Sequence, residues 1–255
     1  MEATATTGIG AAGAFEPSLW DDYFVTYTPP PSLRSEEWMR QRADKLKKEV
    51  LLMFDDHSSA MSAANTLTLV DALERLGIDH LFQQQIDAAM CRVHSKETEF
   101  TAGSSMELHM SALRFRLLRQ HGFFVPTDVF DKYITDGTGS FSTMGLTGDD
   151  TRALLSLYNA AHMAVPGEDI LDNVISFTRS RLIAIKGHVA SPLSDQISRA
   201  LDIPLPRYLR PLETMHYITE YDKEEAYDAT VLELARLNYS ITRSLHLKEI
   251  RTFCL

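Results

Sequence analysis

Apolar side chains recur along most of the chain at spacings of three and four, the periodicity of one helix face. After the stiff Pro29-Pro30-Pro31 stretch, Ser35 reads as an N-cap, with Glu36 and Glu37 behind it favouring the helix dipole. The pattern predicts a first helix over 36–54, carrying Leu46, Val50, Met53 and Phe54. A second spans 66–76, with Leu69, Val70, Leu73 and Leu76 on one stripe and Gly77 as its stop. A third over 79–94 shows Phe82, Ile86, Ala89, Met90 and Val93. Ser104 and Glu107 have capping-box spacing ahead of a fourth helix that ends before Gly122. A fifth is predicted near 127–134, and a sixth, behind Thr147 and Asp150, carries Leu154, Leu157, Tyr158 and Ala161. Further helices run from Glu168 to about Lys186, from the Ser191-Pro192 cap to Asp202, over 211–221 and over 225–250.

No window alternates strictly between apolar and polar residues, so the pattern predicts no sheet. The expected class is all-α, antiparallel helix pairs joined by short loops in one domain. No repeat of fixed period appears, which argues against solenoid arrays. Pairs of this kind can close into an α/α barrel-like ring or stay an open bundle, and the pattern alone leaves both open.

Composition narrows the functional classes. The chain has 255 residues, is 44% hydrophobic and 24% charged, and carries a net charge of −10. That acidic balance lacks the basic footprint of a nucleic-acid binder. No apolar run reaches the roughly 18–20 residues needed to cross a bilayer. The two cysteines, Cys91 and Cys254, are too few and too far apart for a disulfide framework or a cysteine zinc site. Residues 1–33 contain no Lys or Arg and offer no leader pattern, so a cytosolic location is the expectation. Residues 1–14, rich in Ala, Thr and Gly, are expected to form a mobile tail. Within them Gly8-Ile9-Gly10-Ala11-Ala12-Gly13 fits GxGxxG, but no strand precedes it and Pro17 follows closely, so it is read as tail rather than as a dinucleotide site.

Candidate chemistry is sparse. The nine histidines, at 57, 80, 94, 109, 121, 162, 188, 216 and 246, include no HxH, HxxxH or HExxH arrangement and read as structural. Asp21-Asp22, Asp55-Asp56 and Asp149-Asp150 sit at expected element ends, where acids cap helices or face water. Glu168, Asp169 and Asp172 would share one helix face and could hold Mg²⁺ through oxygen, or could simply fill a first helical turn. There is no GxSxG and no P-loop. Cys91, beside Met90 and Val93, reads as a small core residue. The arginine pairs of Arg114-Phe115-Arg116 and Arg179-Ser180-Arg181 read as solvated faces.

A set of motifs reaches further. Phe15-Glu16-Pro17-Ser18-Leu19-Trp20-Asp21-Asp22-Tyr23-Phe24 resembles the N-terminal signature of plant terpene synthases. Leu69-Val70-Asp71-Ala72-Leu73-Glu74-Arg75-Leu76-Gly77-Ile78 and Ala112-Leu113-Arg114-Phe115-Arg116-Leu117-Leu118-Arg119-Gln120-His121-Gly122 are similar to two helices of that family. In order there follow Val129-Phe130, Leu154-Leu155-Ser156-Leu157-Tyr158, Gly167-Glu168-Asp169-Ile170-Leu171-Asp172 and Leu232-Glu233-Leu234-Ala235-Arg236-Leu237-Asn238-Tyr239. The resemblance covers about residues 15–250 and is to the cytosolic sesquiterpene branch.

It implies that residues 15–255 form the family's helical, barrel-like N-terminal domain. In the family a separate C-terminal domain is the lyase. There three Mg²⁺, held by DDxxD and (N,D)Dx(S,T)xxxE motifs, draw diphosphate off a prenyl diphosphate such as farnesyl diphosphate, and an apolar pocket shelters the carbocation. Neither motif stands in its family context here. The chain ends at Arg251-Thr252-Phe253-Cys254-Leu255 where the family continues through an Arg-Trp-Trp segment. The family's arginine motif upstream of the tryptophan would fall near Gly10 and Ala11, which do not match it. Thr147-Gly148-Asp149-Asp150 lacks the first acid of the DxDD motif of class II cyclases. The family context places Glu168–Asp172 at a structural helix start. The expectation is therefore a truncated, terpene-synthase-like chain without the metal-binding catalytic domain. It would have no catalytic, cofactor or metal residues of its own and no activity alone, with Mg²⁺ and farnesyl diphosphate belonging to the full-length family. The alternative is a free-standing helical module that docks on a full-length synthase.

Overall fold

The computed structural model describes residues 23–27, 34–54, 63–95, 105–135, 140–141 and 150–254. Its α-helices are α1 (Tyr23–Thr26), α2 (Glu36–Phe54), α3 (Ala63–Arg75), α4 (Gln83–Ser95), α5 (Ser105–Gln120), α6 (Thr151–Ala161), α7 (Asp169–Ile185), α8 (Leu193–Asp202), α9 (Arg210–Glu220) and α10 (Ala229–Cys254). The GxGxxG run, the three prolines, Asp21-Asp22, Asp55-Asp56, His57, Ser104 and Thr147–Asp149 lie outside the described residues.

Local chemistry sets most of the ends. The Ser35 hydroxyl accepts the Trp38 N–H at 3.2 Å, closing the first turn of α2. At the end of α3, Gly77 has φ +69°, and the Ile78 N–H returns to the Leu73 carbonyl at 3.0 Å. Two expected caps differ. α6 starts one residue after Asp150, whose side chain bonds no first-turn N–H. α8 starts at Leu193, and the Ser191 hydroxyl donates to Asp195 at 2.7 Å instead of capping backbone. The segment expected as a fifth helix winds as a 3₁₀ helix, Thr127–Tyr133. Among the described residues the strand content is a two-rung antiparallel ladder, Ile134 opposite Phe141 and Thr135 opposite Ser140, too short for alternation to register.

Side-chain ties fix the relative directions. Glu36 meets Lys248 at 2.8 Å and Arg42 meets Glu233 at 2.6 Å, so α2 and α10 are antiparallel. Asp71 meets Arg116, and Glu74 meets His121 at 2.7 Å, so α3 and α5 run parallel. His109 meets Ser156 at 2.7 Å, and Arg119 donates to the Met163 carbonyl at 3.0 Å, so α5 and α6 do as well. α6 buries nine of its eleven residues, whereas α4 and α7 each bury a single stripe. A helix buried all round is interior, and one with a single stripe is peripheral. The chain therefore winds through an inner helix and returns by an outer one. α8 and α9, each with one buried stripe, close the circuit through ion pairs: Arg199 pairs with Glu220 at 2.7 Å, and Arg75 on α3 pairs with Glu213 on α9 at 2.8 Å. The result is a closed ring, the barrel-like alternative.

Candidate functional site

The inner helices aim polar residues, at helical spacing, into the middle of the ring. α3 contributes Thr68, Asp71 and Arg75; α5 contributes His109, Leu113 and Arg116; α6 contributes Arg152, Ser156 and Asn159. α8 adds Gln196 and Arg199, α9 adds Glu213 and Tyr217, and the turn after α9 adds Tyr221 and Glu224. Together with apolar residues such as Leu155 and Leu205 they line a partly open cavity of about 100 Å³.

Its charges are paired around the wall. Asp71 accepts from the buried Arg116 guanidinium, and Arg75 stands one turn on from it. Arg75 donates through Nε to Glu213 at 2.8 Å and lies 3.7 Å over the Tyr217 ring. Arg199 grips Glu220 with both terminal nitrogens, at 2.7 and 2.8 Å. Arg152 meets Glu224 at 2.8 Å. Gln196 donates its amide to Glu220 and Glu224, both at 3.1 Å. Burial pushes the Asp71 carboxyl up, but Arg116 and Arg75 outweigh it and hold the group below its ordinary value. Burial, with Arg152 and Arg116 beside it, lowers His109 to about 4, so its ring is neutral near pH 7. Burial raises the phenol of Tyr217 and lifts that of Tyr221 to about 12.

A second polar knot joins the ends of α5, α6 and α7. Arg119 donates to the Val125 carbonyl, to the Met163 carbonyl and, with two nitrogens at 2.6 Å each, to Glu168. Glu168 also accepts the Val165 N–H at 3.0 Å. The bond from Arg119 holds the Glu168 carboxyl below its ordinary value. Glu168 is the residue before α7, and Asp169 and Asp172 are exposed on its first turn. The three acids weighed as a Mg²⁺ face are thus divided: one is bonded to arginine and two face solvent.

The same test applies to the cavity. A hard cation needs several carboxylate oxygens of its own. Asp71, Glu213, Glu220 and Glu224 each lie on a guanidinium, so these donors do not fit a magnesium ion. Among the described residues no three His, Cys, Asp or Glu side chains gather as a cation site.

Three sequence readings are corrected. Arg116 is not on a solvated face: it is 5% exposed and pairs with Asp71. Arg114 likewise turns inward and donates to the Val93 carbonyl at 3.4 Å; Arg181 is exposed, and Arg179, though largely exposed, donates to the Leu201 carbonyl at 2.9 Å and the Tyr158 hydroxyl at 3.1 Å. Cys91 is exposed rather than in the core, because Met90 and Val93 take the inward face of α4. The charged cavity was not anticipated. Its trace in the sequence is the recurrence of polar residues at helical spacing, such as Thr68, Asp71 and Arg75 or Arg152, Ser156 and Asn159.

A family model described as terpene synthase, N-terminal domain, matches residues 19–201. A eudesmanediol synthase of Zea mays is 54% identical over 248 residues, which are 96% of this chain and 43% of that protein. An inactive beta selinene synthase of Zea mays is 52% identical over 219 residues, 85% of this chain and 72% of that protein. The crystal structure of grey poplar isoprene synthase, in complex with three Mg²⁺ ions and dimethylallyl-S-thiolodiphosphate, superposes with a TM-score of 0.72 at 33% identity, over 84% of this chain and 40% of that one. The chain thus spans under half the length of the eudesmanediol and isoprene synthases. By sequence and by the closed ring of helices, this chain belongs to the terpene synthase family and corresponds to its N-terminal domain.

Proposed function

We propose that the chain is the non-catalytic helical domain of a sesquiterpene-synthase-type protein, and that by itself it forms no terpene. The observation that carries this is the state of its acids. Asp71, Glu213, Glu220 and Glu224, at and beside the cavity wall, are each bonded to an arginine, and the Glu168 cluster is divided between arginine and solvent. Ionising a prenyl diphosphate needs metal-neutralised diphosphate beside a dry apolar pocket. A cavity of about 100 Å³ with a charged wall supplies neither. It is also smaller than the roughly 300–1,000 Å³ pockets that enclose drug-sized ligands.

In this reading farnesyl diphosphate and Mg²⁺ are bound by the catalytic domain of the family, and the contribution of this domain is a rigid helical body. The high identity to a relative described as inactive supports it. No helix among the described residues is long and apolar enough to cross a membrane, and the cytoplasm is the proposed location. The test is incubation of the purified chain with farnesyl diphosphate and Mg²⁺, followed by gas chromatography. The expected result is no terpene above blank; robust product overturns the proposal.

A second reading, docking on a full-length synthase, is favoured by the exposed apolar side chains Leu209, Leu212 and Met215 around the start of α9. Co-elution of the chain with a full-length relative in size-exclusion chromatography supports it, and separate elution at all ratios refutes it.

A further inference from the structure

We propose that Ser156 is a nucleophile activated by His109, and that it takes a short acyl group from an ester of a phenol. The proposal stands apart from the reading of terpene chemistry above. It rests on the pair that the ion pairs of the ring leave over. The arginines of the wall are each spent on a carboxylate. The hydroxyl of Ser156 on α6 and the ring of His109 on α5 have each other instead, with Oγ 2.7 Å from Nδ1. Both residues line the partly open cavity, and both are half-buried rather than sealed in the core. A serine within hydrogen-bond reach of a histidine, at a cavity, is the arrangement that turns a hydroxyl into a nucleophile.

The surroundings suit the ring to accept a proton. Burial, with Arg152 and Arg116 beside it, keeps His109 neutral near pH 7, so Nδ1 accepts the Ser156 O–H when the ring proton is on Nε2. Asp71 acts on the same ring and favours the imidazolium that results. With its pKa lowered to about 4, His109 is a weak base, which restricts the substrate to esters whose alcohol departs readily as an anion. In the step, Ser156 Oγ bonds to the carbonyl carbon and its proton passes to His109 Nδ1. The ester C–O bond breaks, and its electron pair leaves with the phenolate. The imidazolium then gives its proton to solvent. Asn159, one turn after Ser156 on α6, lines the same cavity. Its Oδ1 accepts the Leu205 N–H at 3.1 Å, which leaves its amide N–H groups for the carbonyl oxygen as charge develops there. A cavity of about 100 Å³ admits an acyl group of a few heavy atoms, acetyl rather than fatty acyl.

The experiment incubates the whole chain with p-nitrophenyl acetate at neutral pH and follows acetylation of each serine by peptide mass spectrometry. Ser180, exposed on α7 and bonded to the Ser176 carbonyl, is the reference hydroxyl. Ser156 should be acetylated about tenfold faster than Ser180, or more, because it alone of the two has a base in reach. His109→Gln can still hydrogen-bond the Ser156 hydroxyl but cannot take its proton, and should slow acetylation there about a hundredfold, the lower end of what a positioned base contributes. His188→Gln, which removes an exposed histidine, should leave the rate unchanged. A merely structural Ser156–His109 bond would survive the change to glutamine without this loss. Equal acetylation of Ser156 and Ser180 in the unsubstituted chain overturns the proposal without recourse to any variant. So does a Ser156 rate in His109→Gln indistinguishable from that in His188→Gln.

Discussion

Two glycines end inner helices in the same left-handed conformation, and replacing each with alanine separates backbone strain from steric strain. Gly77 closes α3 at φ +69° and Gly122 closes α5 at φ +81°. An alanine in this region costs roughly 1–2 kcal/mol, because its Cβ crowds the neighbouring carbonyl oxygen. At Gly122 nothing else lies within 4 Å of the added Cβ, so Gly122→Ala should lose only that amount. At Gly77 the Cβ would sit 2.6 Å from Thr214 Oγ1 and 3.3 Å from its Cγ2. Thr214 cannot readily give way, since it is buried on α9 and its hydroxyl donates to the Arg75 carbonyl at 3.2 Å. Overpacking of this kind adds roughly 1–3 kcal/mol. Gly77→Ala should therefore lose about 2–5 kcal/mol in total. Thr214→Ala removes both close atoms and leaves the Cβ of residue 214 at 3.5 Å, which is ordinary contact. In that background the steric part should vanish, although Thr214→Ala alone forfeits a hydrogen bond worth about 1 kcal/mol. Urea unfolding followed by circular dichroism, with an unchanged m-value, measures all four variants, and the double variant should be more stable than the sum of its parts predicts. Equal losses at the two glycines, or additivity of Gly77→Ala and Thr214→Ala, would refute the close α3–α9 packing on which the closed ring depends.

Arg116→Gln removes the guanidinium that neutralises the buried Asp71 carboxylate and should cost about 3–5 kcal/mol by chemical denaturation, with Asp71→Asn in the same chain recovering part of the loss. A loss no larger than that of the exposed Arg40→Gln pair would show that Asp71 is not held by Arg116. The bond to Glu74 raises the pKa of His121 above its ordinary 6.5. This pair therefore contributes fully below pH 6.5, and its contribution is lost as pH rises through the raised value. Urea midpoints taken across that range should fall with rising pH, and His121→Gln should remove this component; a slope unchanged in His121→Gln would place it elsewhere.

Element positions were legible because helix boundaries are local. Ser35 accepts an N–H three residues on, and the glycine stop of α3 needs only its own φ. Where local readings failed, longer-range partners had intervened. Arg116 and Arg181 have the same chemistry and each closes an Arg-x-Arg pair, yet the first is drawn inward onto Asp71 and the second faces solvent. α5 is an inner helix and α7 an outer one, and no property of an isolated RxR tripeptide carries that difference. Cys91 failed for a related reason: the stripe of α4 that faces inward is narrow, and its neighbours Met90 and Val93 fill it.

By itself the sequence determined the all-α class, most helix boundaries, and the family, since hydrophobic period, capping chemistry and motif order are properties of neighbouring residues. Only the tertiary structure decided that α3, α5 and α6 run parallel inside a closed ring. It also decided that Asp71, Arg75, Arg116, Arg152 and Glu213, up to 142 positions apart, share one wall. The physical reason is that a polar residue on an interior helix is stable only with a partner of opposite character, and which helix supplies that partner depends on how all of them pack together.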